Sequence, residues 1–341
     1  MKAAVIHAAG DLRIEERDEM APGPGQVAVR IRAGGICGSD LHYYQHGGIG
    51  AIRVREPMIL GHEMAGEVKS VGSGVTAVRP GDIVAVNPSL PCHRCRYCLA
   101  GQPNQCLDMR FYGSAMRMPH VQGGFREVLV CEAEQAVPAG TDASLAAFAE
   151  PLAVCLHAVK QAGPLLGQRV LVTGTGPIGA LAVLAARHAG AAEVVATDLL
   201  DAPLALVAKL GADRVVNVRH DPGALDEYAR DKGWFDVALE ASGSGAALAS
   251  AIGAVRAGGT IVQLGLGGDA SLPLNTLVAK EISLRGTFRF CEEFAWAVRC
   301  ITSGAIDVRP LLTETLPLAQ AVAAFDLATD RGRAMKVQLA L

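Results

Sequence analysis

The rhythm of apolar and polar positions changes near residue 150. Before it, short alternating runs at 3–7, 26–32, 66–71, 82–86 and 128–130 are separated by Pro-Gly, Gly-Gly and Gly-Asp turns. Such runs read as strands with one buried face, and their number predicts an irregular, barrel-like all-β domain with long loops. After it, continuous apolar runs alternate with Ala/Leu-rich stretches of helical length. Strands are predicted at 170–172, 194–196, 214–218, 235–239, 260–264 and 282–284. Helices are predicted after the Gly174 turn, over 203–210, over the polar stretch after Val218, and up to Arg256. Fully apolar strands alternating with helices mark βαβ units on a parallel sheet. The last 50 residues or so mix both rhythms and are expected to rejoin the first domain.

Length and composition agree with two domains. The chain has 341 residues, half of them apolar, enough for two cores and too apolar for disorder. The net charge is −3 with no long run of one sign, which argues against a nucleic-acid binder. Charged residues crowd in from Asp11 to Asp18, so no secretory core is expected. The most apolar long stretch, from Ala180, is broken by Arg187 and His188, so no membrane span is expected. A soluble cytoplasmic protein follows as the expectation. Nine cysteines, four of them between Cys92 and Cys106, point in a reducing compartment to metal or catalytic chemistry rather than disulfides. Cys131, Cys155, Cys291 and Cys300 are expected to be buried thiols.

Three clusters carry candidate chemistry. Gly174-Thr175-Gly176-Pro177-Ile178-Gly179 follows an apolar run and opens a helix, and Asp198 ends the next strand 19 residues after Gly179. The glycines would make a tight turn, admit a pyrophosphate against the backbone and let the helix pack closely, and the acid would meet the adenosine ribose. No Arg or Lys stands beside Asp198 in the sequence, and Asp201 adds a second acid. The expectation is therefore NAD rather than NADP. Cys92-x2-Cys95-x2-Cys98-x7-Cys106 offers four thiolates to one Zn²⁺, a closed site that serves folding. Its last spacing is too long for a ferredoxin-type cluster. Cys37-Gly38-Ser39-Asp40-Leu41-His42 and Gly61-His62-Glu63 crowd ligand types into Gly-flanked loops, a candidate second metal site. No G-x-S-x-G turn and no Walker A sequence is present.

Gly61-His62-Glu63-x2-Gly66-x5-Gly72-x2-Val75, Cys37-x-Ser39-x2-His42, the four-cysteine lobe and the Gly174 turn together resemble the zinc-containing medium-chain alcohol dehydrogenases over essentially the whole chain. The resemblance implies an α/β plus β fold: a GroES-like catalytic domain (1–152), a Rossmann nucleotide-binding domain with a doubly wound parallel sheet (153–289), and a C-terminal return (290–341). Phe148-Ala149-Glu150-Pro151-Leu152, with a carboxylate where ethanol-type enzymes carry a cysteine ligand, and Phe288-Arg289-Phe290 resemble the polyol branch, the sorbitol dehydrogenases and their sugar-acid relatives.

The resemblance implies one catalytic and one structural zinc per subunit and NAD as cofactor. The catalytic metal would sit on Cys37, His62 and a carboxylate, with Glu63 and Glu150 both open as ligand or water holder. Ser39 and His42 would relay the proton. Gly174, Gly176, Pro177, Ile178, Gly179, Asp198, Gly265, Phe288 and Arg289 would line the cofactor. Tyr43, Phe111 and Arg289 would face substrate, with Arg110, Arg117 and His120 as candidate partners of an acidic substrate. A small polyol or sugar acid would be the substrate, and a homotetramer or a dimer the assembly. Competing readings are threonine dehydrogenase and a non-enzymatic zinc protein that binds NAD or nucleic acid. The intact set Cys37, His62, Glu63 and Glu150 disfavours the latter.

Overall fold

The computed structural model describes residues 1–341, which form two compact units. The first comprises Met1–Glu150, Phe294–Asp330 and Lys336–Leu341, the second Pro151–Glu293 and Arg331–Met335. The C-terminal stretch 290–341 is thus split: nine of its residues, 290–293 and 331–335, belong to the second unit.

The first unit is built on the strand Gln26–Gly35. Val27, Val29 and Ile31 alternate inward and are fully buried, packed with Met64, Val68, Val84, Val86 and Leu129. Glu63–Val71 runs antiparallel along one side of this strand. Along the other side Val128–Glu132 pairs with its first half, and Gln338, Leu339 and Ala340 pair with Gly35, Gly34 and Ala33. The seven-stranded sheet is completed by Ile83–Val86, Ala136–Pro138 and Leu312–Pro317. A separate three-stranded sheet holds Lys2–Ala8, Asp11–Glu16 and Met58–Ile59.

The second unit is a six-stranded parallel sheet in the spatial order Arg214–Asn217, Glu193–Asp198, Arg169–Thr173, Phe235–Glu240, Val255–Gln263, Ser283–Gly286. That is 3-2-1-4-5-6 in chain order, the doubly wound Rossmann arrangement. Its inner strands are buried on both faces: Val170, Leu171, Val172, Val194, Val195 and Ala196 are all at 0% exposure. The helix Pro177–His188 starts on Gly176 with proline in its first turn and ends with Arg187 and His188 at its negative pole.

Several local expectations need correction. The helix expected to reach Arg256 stops at Ala254, because β-branched Val255 already pairs with Phe235 in the sheet. The polar stretch after Val218 is no α-helix: it holds a 3-10 segment, Asp226–Lys232, broken by Arg230 and by Asp231 at φ 51°. Cys291 and Cys300 are only partly buried, unlike Cys131 and Cys155. The helical run long and apolar enough to cross a membrane is Ala143–Ala162 rather than the stretch from Ala180, and 67% of its apolar window is buried inside the protein.

Candidate active site

Cys37 is the N-cap of the helix Gly38–His46 and follows the long strand directly. The cap is fixed from inside: Cys37 N donates to Asp40 Oδ2 at 3.0 Å, and Gly61 N donates to Asp40 Oδ1 at 3.2 Å. Asp40 is fully buried, so one carboxylate ties the helix start to the loop that carries His62. Gly61 stands at φ 92°, and a Cβ there would lie 2.4 Å from the Phe125 ring. Only glycine fits that turn, and it delivers His62 and Glu63 to the Cys37 thiol. One donor atom each from Cys37, His62 and Glu63 lie within 4.8 Å of one another.

His62 Nδ1 is 3.7 Å from Asp40 Oδ1, and its Nε2 is 3.4 Å from Ser39 Oγ. The Phe111 ring stands 5.6 Å from the His62 ring. Glu63 pairs across the strand with Gly35, where a Cβ would fall 2.1 Å from Glu63 Oε2. Lys336, 3% exposed, sets its Nζ against Glu63 Oε2 and donates to Ile36 O at 3.0 Å. Neither Glu63 oxygen has a hydrogen bond of good geometry. Glu150, in the first turn of the helix Ala149–Ala162, is buried beside the triplet but outside its 4.8 Å circle.

The electrostatics are those of crowded buried acids. Burial, then Glu63, push the Cys37 thiol up to about 12. Burial lifts Glu150 to about 8, eased by His62 and reinforced by Glu63 and Cys37. Burial likewise raises Asp40, with His62 opposing. Burial works against a charged Lys336, but Glu63 and Cys37 outweigh it and hold the ammonium above its usual range. A sulfur, an imidazole and a carboxylate without a well-formed hydrogen bond, converging in a buried site, suit a divalent cation, which would stabilise the thiolate.

Cys92, Cys95, Cys98 and Cys106 also bring their sulfurs within 4.8 Å of one another. Cys106 Sγ accepts from Cys92 N at 3.2 Å and Asp108 N at 3.3 Å. Backbone N–H groups of Cys98 and Leu107 lower the Cys95 thiol to about 6. Four convergent sulfurs with amide donors fit a tetrahedral zinc.

In the second unit Gly174 stands at φ 81°, and a Cβ at Gly179 would lie 1.8 Å from Gly174 O. The helix start at Gly176, Pro177 and Ile178 carries no side-chain cap, which leaves its N–H groups for an anion. Asp198 accepts from Thr175 N at 2.7 Å and from Arg331 Nη2 at 2.9 Å. The expectation of no cation near Asp198 is therefore corrected: Arg331 arrives from 133 residues away. Gly265 N donates to Glu240 O at 2.8 Å, and a Cβ on Gly265 would strike Gly243. Arg289, at φ 55°, lies 4.8 Å above the half-exposed Phe288 ring.

Other expected residues are placed differently. His42 is exposed, and Tyr43 is buried with its hydroxyl accepting from Ala115 N at 3.2 Å. His120 is buried, its Nε2 accepting from Arg55 N at 2.9 Å and its Nδ1 2.7 Å from Arg117 O. Both ring nitrogens are used, and Arg117 is paired with Asp108 at 2.5 Å. Arg110 is exposed and borders, with His120, Tyr112 and Arg126, a cleft of about 380 Å³ lined by none of Cys37, His62 and Glu63. Asp40, Lys336 and Arg331 were missed. Asp40 had a signal, an acid three residues after the cap; the two cations had none.

Residues 23–141 match the family model described as the alcohol dehydrogenase GroES-like domain, and residues 177–303 match that described as zinc-binding dehydrogenase. The chain is 47% identical over 314 residues to L-idonate 5-dehydrogenase (NAD(P)(+)) of Escherichia coli, covering 91% of this chain and 90% of that one. It is 38% identical over 344 residues to sorbitol dehydrogenase of Gallus gallus, covering 99% and 95%. The crystal structure of L-idonate 5-dehydrogenase from Escherichia coli superposes with a TM-score of 0.96 at 44% identity, covering 100% and 98%.

Proposed function

The chain belongs to the zinc-binding alcohol dehydrogenase family, and from that premise we propose that it oxidises L-idonate reversibly to 5-ketogluconate, with NAD as hydride acceptor. The observation that carries the reaction class is the buried convergence of Cys37, His62 and Glu63. Zinc held there supplies Lewis-acid polarisation of the substrate hydroxyl. The Gly174 turn would hold NAD, which would supply the two-electron acceptor for the hydride, the hydroxyl proton being lost to solvent.

The remaining work is done by side chains. Asp40, against His62 Nδ1, fixes the ring orientation and leaves Nε2 as the nitrogen that would bind a metal. Glu63 is the carboxylate ligand. Glu150, lifted to about 8 by burial, stands beside it as the acid–base group that holds the incoming hydroxyl or a water. Ser39, 3.4 Å from His62 Nε2, passes the proton towards exposed His42. Cys92, Cys95, Cys98 and Cys106 would hold a second, structural zinc.

A neutral polyol is the second reading. It is favoured by one observation: Arg117 and His120, expected to meet a substrate carboxylate, already have protein partners. The test is NADH formation by the zinc-loaded protein with L-idonate and with D-sorbitol at equal concentration, NADP serving as control. A strong preference for idonate supports the acid reading; equal or better turnover of sorbitol replaces it with the neutral one. The strand Ser283–Gly286 is exposed at every residue and forms an open sheet edge. A second copy added there would begin a homotetramer of a cytoplasmic enzyme, and sedimentation of the free protein tests the assembly.

A further inference from the structure

The carboxylate of Asp198 carries five donors. Oδ1 accepts from Leu199 N at 2.7 Å and Leu200 N at 3.1 Å. Oδ2 accepts from Thr175 N at 2.7 Å, Thr175 Oγ1 at 3.1 Å and Arg331 Nη2 at 2.9 Å. An ionised carboxylate has about four lone-pair sites, so none is left for a sugar hydroxyl. Four of the five donors are backbone amides or the hydroxyl of fully buried Thr175, and they cannot leave. The fifth belongs to a side chain that is 50% exposed, and it can. Its guanidinium also lies against the glycine turn, 3.5 Å from where a Cβ on Gly176 would stand.

We propose that Arg331 selects the cofactor: it opposes an unphosphorylated ribose by holding Asp198, and it becomes the ligand of the 2′-phosphate when the dinucleotide carries one. The inference rests on the reading that the Gly174 turn and Asp198 hold the adenosine half of the cofactor. A free ribose must displace Arg331 from Oδ2 before it can bond there. A 2′-phosphate brings a dianion that Asp198 and nearby Asp201 would otherwise repel. Arg331 can turn from the carboxylate to that phosphate and bind it through two parallel N–H groups. The arginine is thus a competitor of one cofactor and a ligand of the other, and the site accepts both.

Binding of NADH and of NADPH to the zinc-loaded full chain, followed by nicotinamide fluorescence, separates the possibilities without turnover. R331A should raise the Kd for NADPH by about 10-fold or more, the loss of a charge-assisted contact, and lower that for NADH; an unchanged NADH Kd would overturn the competitor half of the proposal. R331K, without the planar fork, should recover only part of the NADPH affinity. Adenosine 2′,5′-diphosphate should displace NADPH from the wild type far better than from R331A. Circular dichroism of the variants checks that they fold. Equal weakening of both cofactors in R331A would assign Arg331 to the shared diphosphate and overturn the proposal. So would a wild type that binds NADH and ignores NADPH, or a variant in which neither Kd moves. A wild type that binds neither cofactor would instead remove the dinucleotide reading, and the proposal with it.

Discussion

Lys336 offers a perturbation whose size depends on whether the metal is present. Its ammonium is buried against Glu63 and Ile36 O, and burial leaves it charged only because Glu63 and Cys37 outweigh the desolvation. Lys336→Met keeps the length and the packing and removes the charge. Without a metal, Glu63 is then a buried carboxylate with no counter-ion. Breaking such a pair costs about 3–5 kcal/mol. With zinc bound to Glu63 the counter-charge is supplied by the metal, and the loss should fall by at least about 2 kcal/mol. By the closed cycle, that difference must appear as zinc affinity about 30-fold tighter in the variant. The assay is denaturant unfolding at one and at two zinc equivalents per chain, the first filling the four-cysteine lobe. Chelator competition for the second equivalent gives the affinity independently. Equal destabilisation at both loadings, or weaker zinc binding in the variant, would refute the argument that lysine and metal compete for one carboxylate.

Four further outcomes are expected. Gly35→Ala places a Cβ 2.1 Å from Glu63 Oε2; it should cost about 1–3 kcal/mol and abolish uptake of the second zinc while the first is retained, by metal analysis. Cys95→Ser should lower zinc content by one equivalent per chain and make the 92–106 lobe the first site of proteolytic cleavage. Glu293 is fully buried; burial would raise its carboxyl, but His157, Cys291 N and Lys160 outweigh that and hold it at about 2 against an ordinary 4.5. That depression is worth up to about 3 kcal/mol, present above pH 4.5 and lost as pH falls towards 2. Glu293→Gln should therefore lag the wild type by a constant margin above pH 5 and by a shrinking one below it; a margin independent of pH would refute the assignment. His120→Ala should destabilise by about 2–4 kcal/mol and change KM for L-idonate and for sorbitol alike; a selective rise for idonate would return His120 to substrate recognition.

What was legible in the sequence is what lies close along the chain. The alternation of 26–32, the apolar triplets before the Gly174 turn and the spacing of Cys92 to Cys106 each complete a structural statement within 20 residues, and each appears as expected. So does the pairing of the Cys37 and Gly61 loops as two halves of one site, because glycine and ligand types cluster there. The features that decide charge did not show. Lys336 reaches Glu63 and Arg331 reaches Asp198 only because the terminal strand and its preceding turn fold back onto much earlier residues. No local pattern marks either cation. His120 and Arg117 looked available because a side chain's use by a neighbouring backbone or carboxylate is invisible in a list of residues. The stretch around Arg230 and Asp231 had helical polarity, but Asp231, Lys232 and Gly233 all take positive φ, which no hydrophobic period reports.

The return of Lys336–Ala340 to Ala33–Gly35 also sets the order in which the protein can be made. Residues 151–293 are contiguous, so most of the nucleotide-binding unit can fold while synthesis continues. The first unit cannot be finished then. Its central strand lacks a neighbour until residues 336–340 have been made. A chain stalled short of Lys336 would carry every metal-ligating residue on a sheet that still lacks a strand beside Gly34 and Gly35. Synthesis past residue 340 is thereby a condition for a closed sheet, and chains ended before it are left with an open strand that quality-control proteases can seize.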